Sequence, residues 1–228
     1  MRFQDAAPDA RAIVYATIQA DPSVARTAAL LADATYEQRL LARAVMNGEA
    51  TDAAAWRTMF PSLFDPAADQ ETRGRSEAIL AASLEVADRG EQVRSQFRGA
   101  IVESLTALLL ERRAGNASVR RERRLLFDGV RAEIHPYDVT VERSGAAEAY
   151  DCKWGARGIG PDVLHQLDDA RTHAADEDEQ LVVALVVYDA RLSCDARLDR
   201  QTAPTGGIGL VTIETLDDLA VRPAVPLP

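Results

Sequence analysis

The chain has 228 residues, 47% of them hydrophobic and 27% charged, which suffices for a buried core in one large domain or two small ones. Its net charge of −10 argues against a general nucleic-acid coat protein, although a local basic groove stays compatible with it. No apolar run reaches the roughly 18 residues of a membrane span. The opening "MRFQDAAPDARA" lacks a signal-peptide core, and Cys152 and Cys194 form neither a disulfide framework nor a zinc spacing, so a reducing cytoplasm is expected.

Residues 1–90 read as helical. "PDARAIVYATIQA" has a Pro-Asp start and apolar Ile13, Val14 and Ile18. "DPSVARTAALLADATYEQRLLARAVMNGEA" carries Ala and Leu at helical spacing and stops at Asn47-Gly48. "TDAAAWRTMFPSLF" begins on a Thr-Asp cap signal, and Pro61 should end it. Its Trp56, Met59, Phe60 and Phe64 suit either the core of the helical region or a partner-docking surface. The polar "DPAADQETRGRSE" is the linker candidate. From residue 76, "SEAILAASLEVADRGEQVRSQFRGAIVESLTALLLERRAG" gives one or two helices closing at Gly115, with Phe97, Ile101, Leu105, Leu108 and Leu109 as a core stripe.

Short strands follow: "RRLLFDG", "YDVTVE" and "AEAYDCKW", separated by turn signals at Asp128-Gly129 and Ser144-Gly145. "GPDVLHQLDDARTHAA" is a helix with Val163, Leu164, Leu167 and Ala170 inward. "QLVVALVVYD" has the continuous apolar character of a central strand, and "GIGLVTIETLDDLA" supplies a last one. The order from about residue 96 is helix, three strands, helix, strand, strand. It predicts an α/β architecture with a mixed sheet.

Charge is written unevenly. Of 26 basic residues, Lys153 is the sole lysine. Between Arg112 and Arg124 lie six arginines and one glutamate, either a solvated loop or helix end or a phosphate-facing edge formed by Arg120, Arg121, Arg123 and Arg124. Strand alternation puts Asp138 with Thr140 and Glu142 on one face, and Asp151 with Lys153 on one face of the next strand. A hairpin through Ser144-Gly145 brings Asp138 beside Asp151. Adjacent carboxylates repel, and a hard divalent cation such as Mg²⁺ relieves the conflict while keeping water for a substrate phosphate. A compact ammonium at Lys153 can approach a scissile phosphate where the broad guanidinium fork cannot. The competing reading is a surface lysine on an edge strand.

These motifs resemble the PD-(D/E)XK nuclease superfamily. "HPYDVTV" matches its first motif through Asp138, and "YDCKW" its second through Asp151 and Lys153. Glu103 in "RGAIVESLTALLL", flanked one turn away by Gly99 and Ala107, matches the glutamate of the first core helix. Gln166 in "VLHQLDDAR" matches the glutamine after the third strand. The RecB-like version adds a tyrosine four residues later, where this chain has Ala170.

The resemblance covers roughly residues 96–216. It implies a restriction-endonuclease-like α-β-β-β-α-β core with a mixed sheet, preceded by an all-helical N-terminal region. The domains would be 1–90, for partner docking or dimerisation, and 91–228, the nuclease. It further implies that Asp138, Asp151 and the Cys152 carbonyl hold Mg²⁺ (or Mn²⁺), with Glu103 contributing directly or through water. Lys153 would serve the attacking water and the phosphate, Gln166 would orient Lys153 or the phosphate, and the product would carry a 5′-phosphate and a 3′-hydroxyl.

DNA is the expected substrate. Residues 1–95 hold 10 Arg against 14 Asp and Glu, so that part is not expected to read sequence itself. A homo-oligomer, or a sensor or helicase partner as in restriction or antiphage defence, would then supply targeting. Two alternatives stay open: a catalytically silent nuclease-fold subunit of a nucleic-acid-processing complex, and a small hydrolase using a carboxylate–lysine pair. His135 is read as a turn residue. His165 and His173 stand too far apart on one helix to chelate a common ion, and "GGIGL" and "DEDE" are read as turn and loop.

Overall fold

The computed structural model describes residues 1–6, 10–48, 52–127, 130–131, 135–225 and 227, with only the backbone at 10–12 and 130–131. The chain divides into a unit of residues 10–105 and a unit formed by residues 1–9 together with 106–228.

The first unit contains α1 (Ala10–Gln19), α2 (Pro22–Ala32), α3 (Tyr36–Asn47), α4 (Ala53–Met59), a 3₁₀ turn at Pro61–Phe64, α5 (Gln70–Ala87) and the larger part of α6 (Glu91–Ala114). The expected Pro8-Asp9 start of α1 and the Thr51 cap signal lie outside the described residues. Local chemistry sets the other starts. Asp21 accepts the amide of Ser23 with Pro22 in the first turn, and Asp52 accepts that of Ala54.

The long Ala/Leu segment breaks into α2 and α3. Thr35 and Gln38 form a reciprocal capping box there, which satisfies two amides that a continuous helix would have had to bond elsewhere. The linker candidate also resolves differently, because Asp69 caps α5 through the Thr72 amide, so the polar stretch is half helix start. The core of this unit gathers Leu41, Val45, Trp56, Leu63, Leu80 and Ala87. Phe60 and Phe64 pack partly against it, whereas Met59 is exposed.

The second unit is α/β. Its strands are β1 (Arg2–Asp5), β2 (Ser118–Phe127), β3 (Val130–Arg131), β4 (Tyr137–Arg143), β5 (Ala146–Lys153), β6 (Gln180–Val187) and β7 (Gly209–Val211), with α7 (Pro161–Asp176) after β5 and α8 (Arg191–Leu198) after β6. They form one mixed sheet in the order β1-β2-β4-β5-β6-β7, with the two-residue β3 beside β2. Pairing is antiparallel from β1 to β5 and parallel from β5 to β7.

The N-terminal region is therefore not all-helical. Arg2–Asp5 pairs with Leu126 to Arg123, because an extended tetrapeptide can satisfy its backbone groups on a sheet edge that no local pattern announces. The division between units falls inside α6, between Leu105 and Thr106. Helix α8, not foreseen from sequence, buries Cys194 and Leu198.

Two faces of the sheet are covered differently. On one, Leu164, Leu167, Ala170 and Ala174 of α7 pack with Ala149, Val183, Leu185 and Val187. On the other, the C-terminal part of α6 contributes Thr106, against the Cys152 thiol at 3.5 Å, and Arg113. Arg113 and Arg143 both bond the buried Glu148 carboxylate, which also accepts the Tyr150 hydroxyl. Gly145, at φ +75°, makes the tight β4–β5 turn that a side chain would strain. The turn expected at Asp128-Gly129 lies outside the described residues. Among the described residues, no helix is long and apolar enough to cross a membrane.

Candidate active site

Register brings the acids together. Pairing runs Thr140↔Ala149 and Val139↔Tyr150, so one further step along the hairpin sets Asp138 opposite Asp151. Asp138 bends toward the neighbouring strand, where its Oδ2 accepts the Cys152 amide at 2.6 Å. Parallel pairing of Asp151 with Leu185 and of Lys153 with Val187 fixes the far side. Asp138, Asp151, Lys153 and Gln166 line one cleft of about 160 Å³, together with His135, Pro136, Asp162 and Val163.

The Asp151 carboxylate is buried and ion-paired through Oδ1 to the Lys153 ammonium. Burial alone would lower the lysine pKa. Attraction to Asp151, and then to Asp138, outweighs it and holds the ammonium well above the ordinary lysine range.

Gln166 has a definite task. Its amide nitrogen donates to the His135 carbonyl at 3.0 Å and its Oε1 accepts the His135 amide at 3.1 Å. This buried side chain thus pairs with both backbone groups of one residue as a neighbouring strand would, and ties α7 to the segment that leads into Asp138. Sequence reasoning placed Gln166 at the site for a different purpose, orientation of Lys153 or the phosphate. It missed Asp162, whose available signal was its place in the first turn of the helix after β5, behind Pro161.

Glu103 belongs to the helical unit. There its carboxylate accepts the Tyr15 hydroxyl at 2.5 Å and the Gln19 amide at 2.7 Å. Gly99 makes room for that tyrosine, since a Cβ on it would stand 3.0 Å from the Tyr15 oxygen. The arginines read either as a solvated loop or as a phosphate-facing edge lie on β2. Arg120 is exposed, Arg121 and Arg124 are half-buried, and Arg123 is paired with Glu142 and Asp5. His173 stacks on Phe127 at 5.6 Å. Burial pushes the Cys194 thiol up to about 12, which leaves it unreactive.

A larger hollow of about 410 Å³ beside β7 is lined by Leu210, Val211, Leu219 and Ala224, with Arg222 already paired to Asp218. It offers no acid–lysine cluster, so the smaller cleft is the candidate.

No protein-family model and no curated protein matches the sequence. Among solved structures, the chain is similar to the crystal structure of protein VC1899 from Vibrio cholerae, with a TM-score of 0.48 and 16% sequence identity. The similarity covers 96% of this chain and 56% of that one, so the chain spans little more than half the length of that structure.

The donor set can be tested against a metal. Among the described residues, no three His, Cys, Asp or Glu side chains gather as a metal-binding group. That excludes a cage of the structural-zinc kind among them. Mg²⁺, by contrast, is commonly held by one or two carboxylates with waters and substrate phosphate completing its shell. Asp138 and Asp151, two carboxylates lining one cleft, fit that requirement.

Proposed function

We propose that this chain is a metal-dependent phosphodiesterase that cleaves DNA on a restriction-endonuclease-like core. The observation that carries the reading is the meeting of Asp138, Asp151 and Lys153 in one cleft. The succession α6, β2, β4, β5, α7, β6 supports it, being the helix, three strands, helix and strand of that core.

Asp138 and Asp151 would hold Mg²⁺ or Mn²⁺, with the Cys152 carbonyl between them. Bound there, the ion would polarise the phosphate and acidify a water. The residues of the chain do the rest. Lys153 places a fixed positive charge beside the phosphate, where negative charge grows as water attacks phosphorus and the 3′ oxygen leaves. Gln166 holds the approach to Asp138 by its two hydrogen bonds to the His135 backbone. Arg120, Arg121 and Arg124 on β2 are candidate backbone contacts.

The setting we infer is a bacterial restriction or antiphage defence module, with a second copy or a sensor or helicase partner directing the cut. Supercoiled plasmid tests the reading. Nicking should need Mg²⁺ or Mn²⁺, stop with a chelator, and be lost in Asp151→Asn and Asp138→Ala proteins that retain their circular dichroism. Equal nicking by wild type and Asp151→Asn would remove the site assignment.

A further inference from the structure

We propose that the turn after β5 is a preformed wall for Lys153, and that Gly158 and Asp189 are positioning residues that hold its ammonium against Asp151. Its catalytic meaning rests on the nuclease reading; the wall itself does not.

The turn is pinned to the end of β6 at successive points. The Tyr188 amide donates to the Lys153 carbonyl at 2.8 Å, and Trp154 stacks on Tyr188 with ring centres 5.0 Å apart. The Ala156 amide donates to Asp189 Oδ2 at 3.0 Å, while Asp189 Oδ1 accepts the Ala190 amide at 2.8 Å. Asp189 is buried, and its carbonyl accepts the Ile213 amide at 3.1 Å, so it is held from β7's side as well. Arg197 of α8 closes the far end by donating to the Ile159 carbonyl at 2.8 Å. Between these anchors runs a single 3₁₀ turn, Ala156–Gly158.

What this frame presents to Lys153 is bare backbone. A Cβ on Gly158 would lie 2.9 Å from the lysine Cδ and 3.1 Å from its Cβ and Cγ. Contacts that short do not persist, and Lys153 Cβ belongs to a strand rather than to a free chain end, so the stem must move aside. Gly158 is not in the left-handed region, so alanine there carries no backbone strain and restricts the unfolded chain. Backbone conformation does not require glycine here; the lysine stem beside it does.

Asp189 is constrained by its donors. Two amides point at its two oxygens, and asparagine would turn an NH₂ group toward one of them.

The sole lysine supplies a readout independent of cleavage, since ¹⁵N-lysine labelling yields one ammonium resonance, that of Lys153. Gly158→Ala should shift that resonance and speed its exchange with water at unchanged or raised melting temperature. Asp189→Asn should move it in the same direction. In a Mg²⁺ cleavage time course Gly158→Ala should lose about ten- to a hundredfold in rate, the range expected for a catalytic group displaced by roughly 1 Å, with DNA affinity retained. A Gly158→Ala resonance that coincides with wild type in shift and exchange overturns the wall. A resonance that moves while cleavage stays at the wild-type rate overturns the positioning role. Wild-type protein that cuts no DNA would sink the nuclease reading instead, and the resonance would still decide whether the wall exists.

Discussion

Lys153 stands on the last residue of β5 with its stem against Gly158 and its ammonium on Asp151. A guanidinium is permanently charged too, so Lys153→Arg preserves charge and tests shape alone. The wider fork meets a wall that cannot retreat. We expect Lys153→Arg to lose about a hundredfold in cleavage rate, close to the loss in Lys153→Ala. Calcium titration, with Ca²⁺ as a non-catalytic stand-in, should show little change, because the acids hold the ion. Wild-type rates in Lys153→Arg would return this lysine to a surface role.

At the scale of elements, α6 is fastened to β5 by a buried ion pair. Arg113 Nη1 bonds Glu148 Oε1 at 2.9 Å, its Nε bonds the Leu219 carbonyl at 2.7 Å, and both charged side chains are more than nine-tenths buried. Removing one partner strands the other charge away from water, so Glu148→Gln should cost about 3 kcal/mol in urea unfolding at neutral pH. Burial pushes the Glu148 carboxyl up, but hydrogen bonds from Arg113, Tyr150 and Arg143 outweigh it and hold the group below its ordinary 4.5. A depressed carboxyl stabilises the fold above its unfolded value and loses that contribution as pH falls through the folded one. The gap between wild type and Glu148→Gln should therefore be full at neutral pH and narrow below about pH 4.5. A gap that is constant down to acid unfolding would contradict the ionised pairing.

For the molecule as a whole, the sheet ends on β1 at one side and β7 at the other. β1 covers Arg123 to Leu126 of the ten-residue β2, so that without it the whole outer edge of β2 loses this partner, and Asp5 also pairs with Arg123. Unpaired strand edges of that length recruit other chains. Deleting residues 2–5 should convert the protein to larger species in light scattering after size exclusion, at concentrations where the full chain keeps one size. An unchanged size and melting temperature would show that β1 is dispensable. A fragment beginning near residue 90 carries the same defect, so the α/β unit is not expected to behave well without its first residues.

Local pattern was enough for much of this. Period-two alternation in "YDVTVE" and "AEAYDCKW", with Ser144-Gly145 between them, placed Asp138, Asp151 and Lys153 on one hairpin, because side-chain direction along a strand and a two-residue turn are properties of neighbouring residues. The helix stop at Gly115, at φ +59°, was legible for the same reason. The Thr35–Gln38 box was equally local, but a smooth Ala/Leu periodicity masked it. Other features depend on partners far along the chain. Arg2 meets Leu126, Arg113 meets Glu148, Gln166 clasps His135 and Asp189 holds Ala156. Each is a choice among many chemically equivalent residues, made when strand order and register bring one within reach. The sequence by itself determined that Asp138, Asp151 and Lys153 share one hairpin; only the tertiary structure decided which backbone and side chains hold them there, because hydrogen bonds and packing select by distance in space and not by separation along the chain.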